Sequence, residues 1–430
     1  MSEWPTVSLG EIADIRFSNV DKKDALGEVP VRLCNYLDVY RNDYITNDLR
    51  FMEATATREE IERFLVEKGD VLVTKDSETP DDIGIPAVVV DEVKDLLCGY
   101  HLALIKPNRE RVDSVFLAKQ LGCKPTAGYY SRLANGSTRY GLSSSSIAST
   151  PVWLPPLLQQ SRIAEILSTL DKTIEQTEAL IAKYQQIKAG LMHDLFTRGV
   201  TPDGKLRPTR AEAPQLYKQS PLGWIPKEWE MKSLGSLSQF ITSGSRGWAE
   251  YYSDTGPLFL RISNLTREHI NFRWDEVTRV SLPKSTEGRR TAIRPSDILI
   301  SITADLGIVA VAHEDIGEAY VNQHIALVRP NVDPTLSRFI GHCLATVRVQ
   351  KQILQLNDSG AKAGLNLPAV GKILVPMPRD DREAIGIAAM LDEADQGVEC
   401  YKGELAKLRQ QKHGLMHDLL TGRVRVKVDS

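Results

Sequence analysis

The sequence predicts an α+β protein: two similar mixed α/β domains at opposite ends of an antiparallel two-helix coiled coil, related by an internal pseudo-two-fold axis. Three observations predict it. The pentapeptide Leu191-Met192-His193-Asp194-Leu195 returns as Leu415-Met416-His417-Asp418-Leu419, 224 residues later. Each copy closes a long heptad pattern. The stretches ahead of the two helices carry the same short motifs in the same order.

Those motifs can be followed through each half. Trp4 and Leu9-Gly10 answer Trp229 and Leu234-Gly235, and Arg32-Leu33-Cys34-Asn35 answers Arg261-Ile262-Ser263-Asn264. Gly69-Asp70-Val71-Leu72-Val73-Thr74 matches Ser296-Asp297-Ile298-Leu299-Ile300-Ser301, a turn feeding a β-branched strand. Ile83 to Val88 matches Leu306 to Val311, and His101 to Asn108 matches His324 to Asn331. Two copies of so long a period exclude a solenoid.

Within each domain, apolar strands (Val71 to Val73, Pro86 to Val90, Leu102 to Ile105) precede a short helical pattern, Val112 to Leu121. A Gly/Ser-rich loop follows, Ala134 to Ser146, with Asn357 to Gly364 its counterpart. Pro151, Pro155 and Pro156 in one half, and Pro376 and Pro378 in the other, separate domain from helix. The division expected is a first domain over 1–155, a spacer helix over 156–198, a linker over 199–226, a second domain over 227–378 and a second spacer helix over 379–422. Trp224 and Trp229 suggest that the Pro-rich linker is pinned to a surface.

The helices hold 3-4 apolar spacing. In the first, Ile163, Leu170, Thr177, Tyr184 and Leu191 alternate with Leu167, Ile174, Ile181, Lys188 and Leu195. In the second, Leu391, Val398, Leu405, Lys412 and Leu419 alternate with Ala394, Tyr401, Leu408 and Leu415. Such a seam asks for a partner helix, and the other copy supplies one. A helix over Gln159 to Phe196 would be about 55 Å long. It carries the chain away from the first domain, so the second helix must return antiparallel and bring the termini close. Two similar heads on a stiff spacer make a ruler, and duplex DNA, repeating roughly every 34 Å, suits one.

Composition sets the bounds. At 430 residues the chain suits two domains plus connecting structure. No run of apolar residues is long enough for a membrane span and the N-terminus lacks a secretory pattern, so a cytoplasmic protein is expected. Cys34, Cys98, Cys123, Cys343 and Cys400 are scattered and odd in number, against a disulfide framework or a structural zinc site.

The net charge of -3 is weak for a protein that meets phosphate. Local patches are stronger. Arg261, Arg267, Arg273, Arg279, Arg289, Arg290 and Arg294 are interleaved with His269, Phe272 and Trp274. In the first half Arg32, Arg41 and Arg50 sit among Tyr36, Tyr40 and Tyr44, and Arg132 and Arg139 among Tyr129, Tyr130 and Tyr140. Arginine can fork onto guanine and asparagine onto adenine. The candidate DNA contacts are therefore Arg32, Asn35, Tyr36, Arg41, Arg132, Arg139, Tyr140, Arg261, Asn264, Arg267, Arg273, Arg289 and Arg290.

At this point the chain resembles a known family, the specificity subunits of type I restriction-modification systems, over essentially its full length. The resemblance rests on Gly256 to Leu265, Asp297 to Ile300, Asn322 to Pro330, Leu154-Pro155-Pro156-Leu157, the two pentapeptides and the linker's Ser220 to Pro226. It implies two target-recognition domains reading the two parts of a split, asymmetric sequence in double-stranded DNA. It also implies a helical spacer that docks two adenine-methylating modification subunits, joined by translocating restriction subunits. No cofactor, metal or catalytic residue of the chain's own is implied. The Gln159-Gln160 and Arg382-Glu383 pairs depart from the Glu-Gln that usually follows the prolines.

The alternative is a stand-alone nuclease or methyltransferase. No phosphate loop, H-E-x-x-H or dinucleotide fingerprint is present. Pro80-Asp81 with Glu92-Val93-Lys94 has the residue types of a metal-dependent nuclease, but the second half has no copy. Asn366-Leu367-Pro368-Ala369 lacks the aromatic ring that an adenine methyltransferase stacks on a flipped base. His193-Asp194 and His417-Asp418 could ligate a metal, though histidine near a helix C-terminus complements the dipole more simply.

Overall fold

The computed structural model describes residues 4–244, 246–281, 290–357 and 364–427. The chain forms two compact units, Met1–Glu178 with Gly403–Ser430 and Ala179–Lys402. Two long helices, Leu157–Arg198 and Asp381–Leu420, each contribute to both units. The fold is α+β, with one mixed domain in each unit.

In unit one a five-stranded sheet runs in the order Ala13–Phe17, Leu102–Pro107, Val71–Thr74, Pro86–Val89, Tyr44–Ile45. A three-stranded sheet, ordered Met52–Ala56, Val29–Cys34, Leu96–Cys98, covers one of its faces. Side chains alternate across a strand. Val71, Val73, Ala103 and Ile105 face a core shared with the helix Ser114–Leu121 and with Ile163 and Leu167 of the first long helix. Leu72, Leu102 and Leu104 face a second core under the smaller sheet. Both faces are dry, which is why these strands read as unbroken apolar runs.

Unit two repeats the plan. Its four-stranded sheet is ordered Ser238–Ser243, Ile325–Pro330, Ile298–Ser301, Val309–Val311. A three-stranded sheet comprises Arg279–Val280, Tyr252–Leu260 and Ala319–Val321. Ile298, Ile300, Ala326 and Val328 face the helices, while Leu299, Ile325 and Leu327 face the smaller sheet. In each domain a two-stranded antiparallel ribbon ties the first strand to the last: Thr6–Ser8 with Pro151–Trp153, and Glu230–Ser233 with Leu374–Met377.

The long helices pair within each unit. In unit one the end of the second helix packs beside the start of the first, and Leu419 and Leu420 join the core that holds Ile163 and Leu167. The buried Gln120 Nε2 donates to the carbonyl of Leu420 at 2.8 Å. In unit two the order is reversed: Leu195 and Phe196 at the end of the first helix share a core with Ala384, Ile387 and Leu391 near the start of the second. Tyr184 and Tyr401 stack there, ring centroids 5.2 Å apart. The pairing in each unit is therefore antiparallel. Of the expected core positions, Ile163, Leu167, Ile181, Leu391 and Val398 are buried. Leu170, Ile174, Leu191, Tyr401, Leu405, Leu408 and Leu415 are half-buried and Tyr184 is exposed, since two helices alone leave one side of a seam open.

Two stretches read as irregular are ordered. Within Ala134 to Ser146, Tyr140–Gly141 pairs with Asp76–Ser77, and the Ser143 hydroxyl accepts from the Ser146 amide to start the helix Ser144–Ala148. Its counterpart loop falls largely on 358–363, outside the described residues. Residues 199–226 contain a hairpin, Tyr217–Ser220 with Gly223–Pro226, and Val200 and Ile225 lie in the core of unit two. The carboxylate of Glu383, at the head of the second long helix, accepts from the Val200 amide at 2.9 Å, from Arg207 Nη2 at 2.9 Å and from Trp229 Nε1 at 3.2 Å. Trp229 is fully buried; Trp224 lies over the surface, with the Arg210 guanidinium 4.6 Å from its ring centroid.

Candidate nucleic-acid interface

In unit one the loops at one end of the large sheet gather aromatic and ionic groups. Tyr36 and Tyr40 lie one turn apart on the short helix Tyr36–Tyr40, and their rings stack at 5.5 Å with 17° between planes. Tyr40 donates to Asp82 at 2.8 Å while staying 39 % exposed. Burial pushes the Tyr36 hydroxyl pKa up, and for Tyr40 the hydrogen bond it donates to the Asp82 carboxylate does so. Lys75 places its ammonium 5.0 Å from both the Phe17 and Tyr100 ring centroids. His101 Nδ1 meets Asp76 at 3.0 Å. The pairing of Tyr140 with Ser77 brings the loop after Leu133 alongside. That loop turns at Gly136, φ 148°, where a Cβ would lie 1.8 Å from the Arg139 carbonyl, so no side chain fits.

The expected contact residues of unit one divide into two groups. Arg41, Arg132 and Arg139 are exposed and Tyr140 is half-buried. Arg32 and Asn35 have local work: Arg32 Nε donates to the Lys94 carbonyl at 2.8 Å, and Asn35 caps the short helix while its amide nitrogen donates to the Leu33 carbonyl at 3.3 Å. The repeated motif is also bonded locally in unit two, through other partners. Asn264 is buried, accepts from the Arg261 amide at 3.0 Å and donates to the carbonyls of Arg273 and Glu276 at 3.2 and 2.7 Å. The step is locally bonded in both copies but in different ways: Arg32 to Cys34 belong to the strand Val29–Cys34 and Asn35 precedes a helix, whereas Arg261 follows its strand and Asn264 closes a short turn.

In unit two the arginines are steered by carboxylates and carbonyls. Arg261 lies 3.4 Å from Glu276, Arg273 3.2 Å from Asp275, and Arg267 pairs with Asp305 and donates to the Leu306 carbonyl at 2.8 Å. Arg290 is exposed and Arg289 lies outside the described residues. Around them stand Trp274, 47 % exposed and packed against Phe272, and a cleft lined by Leu258, Trp274, Val277, Arg279 and His313. Lys75, Tyr100, His101 and this cleft were not singled out from the sequence. His101 had a visible signal, since His324 answers it at the same place in the repeat.

The nuclease reading finds no support in the geometry. Asp81 accepts from the Ser131 hydroxyl at 2.7 Å, and the metal-compatible cluster found among the described residues, His342, Asp392 and Asp395, lies elsewhere. There His342 Nε2 and Arg338 Nη2 reach Asp392 at 2.7 and 2.6 Å, and Lys188 pairs with Asp395. Two carboxylates already face two cations, so a divalent ion would add uncompensated charge. The cluster is a buried joint between domain and helices.

Two copies of one mixed domain, each ending in aromatic and basic loops, define a class of protein that reads nucleic acid with paired modules. The chain belongs to the family described as type I restriction modification DNA specificity domain, whose model matches residues 1–186 and 226–410. It is a specificity subunit of a type I restriction-modification system. It is 22% identical over 429 residues to the type I restriction enzyme MjaVIII specificity subunit of Methanocaldococcus jannaschii, covering 99% of this chain and 94% of that one. It is also 22% identical over 434 residues to the HindI specificity subunit of Haemophilus influenzae, covering 88% and 90%. The crystal structure of a type I restriction-modification S subunit from M. genitalium shares the fold, with TM-score 0.61 and 17% identity over 97% of this chain and 96% of that one. Among the described residues no helix is long and apolar enough to cross a membrane.

Proposed function

We propose that each unit reads one part of a split, asymmetric DNA target, and that the helix pair fixes the number of base pairs between the parts. The observation that carries this reading is the doubling itself. One domain plan appears twice with closely matched cores, while the exposed loops differ: tyrosines, lysine and several carboxylates in unit one, arginines and a tryptophan in unit two. Divergent tips on matched scaffolds suit two different half-targets.

The chain supplies recognition and no catalysis. Two adenine-methylating modification subunits dock on the helices, and restriction subunits join the assembly. Leu180, Tyr184 and Ile187 of the first helix support docking: they fall on one face and stay 38, 39 and 51 % exposed, an apolar stripe unusual on a free surface. With the weak net charge, the modification subunits supply much of the salt-sensitive affinity. Footprinting of the assembled complex tests the reading. Two short protected tracts about one helical turn apart are expected; a single tract, or methylation and cleavage by the chain alone, would overturn it.

A further inference from the structure

Heptad seams rarely hold lysine, yet this helix pair holds two at equivalent places. Lys188 and Lys412 each sit seven residues before the last leucine of the repeated pentapeptide, Leu195 and Leu419. In unit two the Lys188 ammonium pairs with Asp395 and donates to the Glu268 carbonyl at 2.5 Å. In unit one Lys412 pairs with Asp171 at 2.7 Å and with Asp43 at 3.0 Å. Asp171 and Asp395 are equivalent as well, each following a seam position, Leu170 or Ala394. Each lysine therefore joins three elements: its own helix, the opposing helix, and a recognition domain that belongs to the other copy of the repeat.

We propose that these two lysine–aspartate pairs are the register keys of the helix pair. Resting on the function proposed above, they are then the positioning residues that set the spacer length of the DNA target. A slide by one heptad shows why. In one direction Lys188 and Lys412 would face Ala388 and Ala164; in the other, Lys188 would face Lys402, and only Lys412 would gain a carboxylate, Glu178. A slide thus sets Leu405 or Leu419 against Asp171 and Ile181 or Leu195 against Asp395, so the charged positions, more than the leucines, penalise it.

The pairs are poor candidates for stability. Asp395 is 2 % exposed and its Oδ2 has no hydrogen-bond partner, so part of its desolvation goes uncompensated. Replacing a buried ion pair with apolar side chains is often neutral or stabilising, whereas a polar residue at a seam position specifies register.

The test uses the full chain carrying Cys400→Ser, with Lys188→Leu, Asp395→Leu, Lys412→Leu and Asp171→Leu combined. The melting temperature should hold or rise for the Lys188 and Asp395 replacements alone; in unit one Asp171 also holds Lys119 at 2.7 Å, so the combined variant should melt lower. In the parent, Tyr184→Cys with Tyr401→Cys should form a disulfide, and Tyr184→Cys with Ala394→Cys, one heptad away, should not. In the leucine variant both should form. In complexes with the modification subunits, the parent should lose about tenfold in DNA affinity when the target spacer gains one base pair, and the leucine variant should lose no more than twofold. Restoring either pair alone in the leucine variant, Lys188 with Asp395 or Lys412 with Asp171, should restore a single crosslink and the spacer preference. A leucine variant that keeps one crosslink and the parental preference overturns the proposal. A parent complex indifferent to spacer length overturns the proposed function instead, and the crosslinks still decide the register.

Discussion

The two units share their cores and differ at both ends of them. In each, one large sheet sends alternate side chains to the helices and to a smaller sheet. Yet the first turn of the long helix in unit one carries Gln159, whose buried Oε1 has no partner, whereas the equivalent Glu383 in unit two holds Val200, Arg207 and Trp229. The loops diverge further, toward tyrosine and carboxylate in one unit and arginine in the other. These differences fall at the helix start beside the linker and in exposed loops.

The sharpest way to break the comparison is at those helix starts. Glu383→Ala should destabilise unit two by about 3–5 kcal/mol, because Arg207 is left charged and only 11 % exposed. Gln159→Ala should cost unit one under ~1 kcal/mol. Urea unfolding followed by hydrogen exchange in each unit measures both, and equal losses would dissolve the contrast.

Next in size are the surfaces. Leu180→Glu with Ile187→Glu should abolish copurification of a modification subunit by burying charge in an apolar interface, while leaving the melting temperature of the chain within a few degrees. Arg261→Ala or Arg273→Ala should each weaken binding by about 1–3 kcal/mol if it forks onto a base. The loss should persist when the part of the target read by unit one is scrambled and vanish when the other part is. Arg41→Ala and Arg139→Ala should show the opposite dependence.

The smallest effect is electrostatic. Burial alone would raise the Asp43 carboxyl above its ordinary 3.8, but the ammonium groups of Lys119 and Lys412 outweigh it and hold the group down to about 2. A depressed carboxyl stabilises the fold fully above its unfolded value, and that contribution is lost as pH falls from near 4 toward 2. Asp392 is lowered in unit two, where His342 and Arg338 overcome the opposing burial. Asp43→Asn should flatten the acid-side fall in unit one's stability and leave that of unit two unchanged, as a pH series of unfolding curves would show.

Much of this was legible in the sequence. The pentapeptide, the heptads and the ordered motifs gave the repeat, and the buried strands followed from apolar runs that need two dry faces. The family resemblance agreed with the repeat and lies behind the same two-domain plan. What was not legible had short-range causes. Ser143 to Ser146 reads as loop because serine is common in loops, yet one of its hydroxyls starts a helix. Residues 199–226 read as linker because proline and glycine punctuate them, yet Val200 and Ile225 are core and Glu383, far away in sequence, holds them down. Asn264 read as a base contact, and its amide is instead occupied by three backbone groups. A residue's chemistry shows in the sequence; whether its hydrogen bonds are already taken does not.

The two-stranded ribbons that close each domain, Thr6–Ser8 on Pro151–Trp153 and Glu230–Ser233 on Leu374–Met377, carry an evolutionary consequence. Entry and exit strands of a head lie side by side, and what passes between head and stalk is a pair of adjacent chain crossings. A foreign head cut at those crossings could be grafted onto the helices, provided it brought its own half of the ribbon and an apolar face to meet Ile163, Leu167, Leu419 and Leu420. Exchange of whole cassettes then offers a route to new specificities.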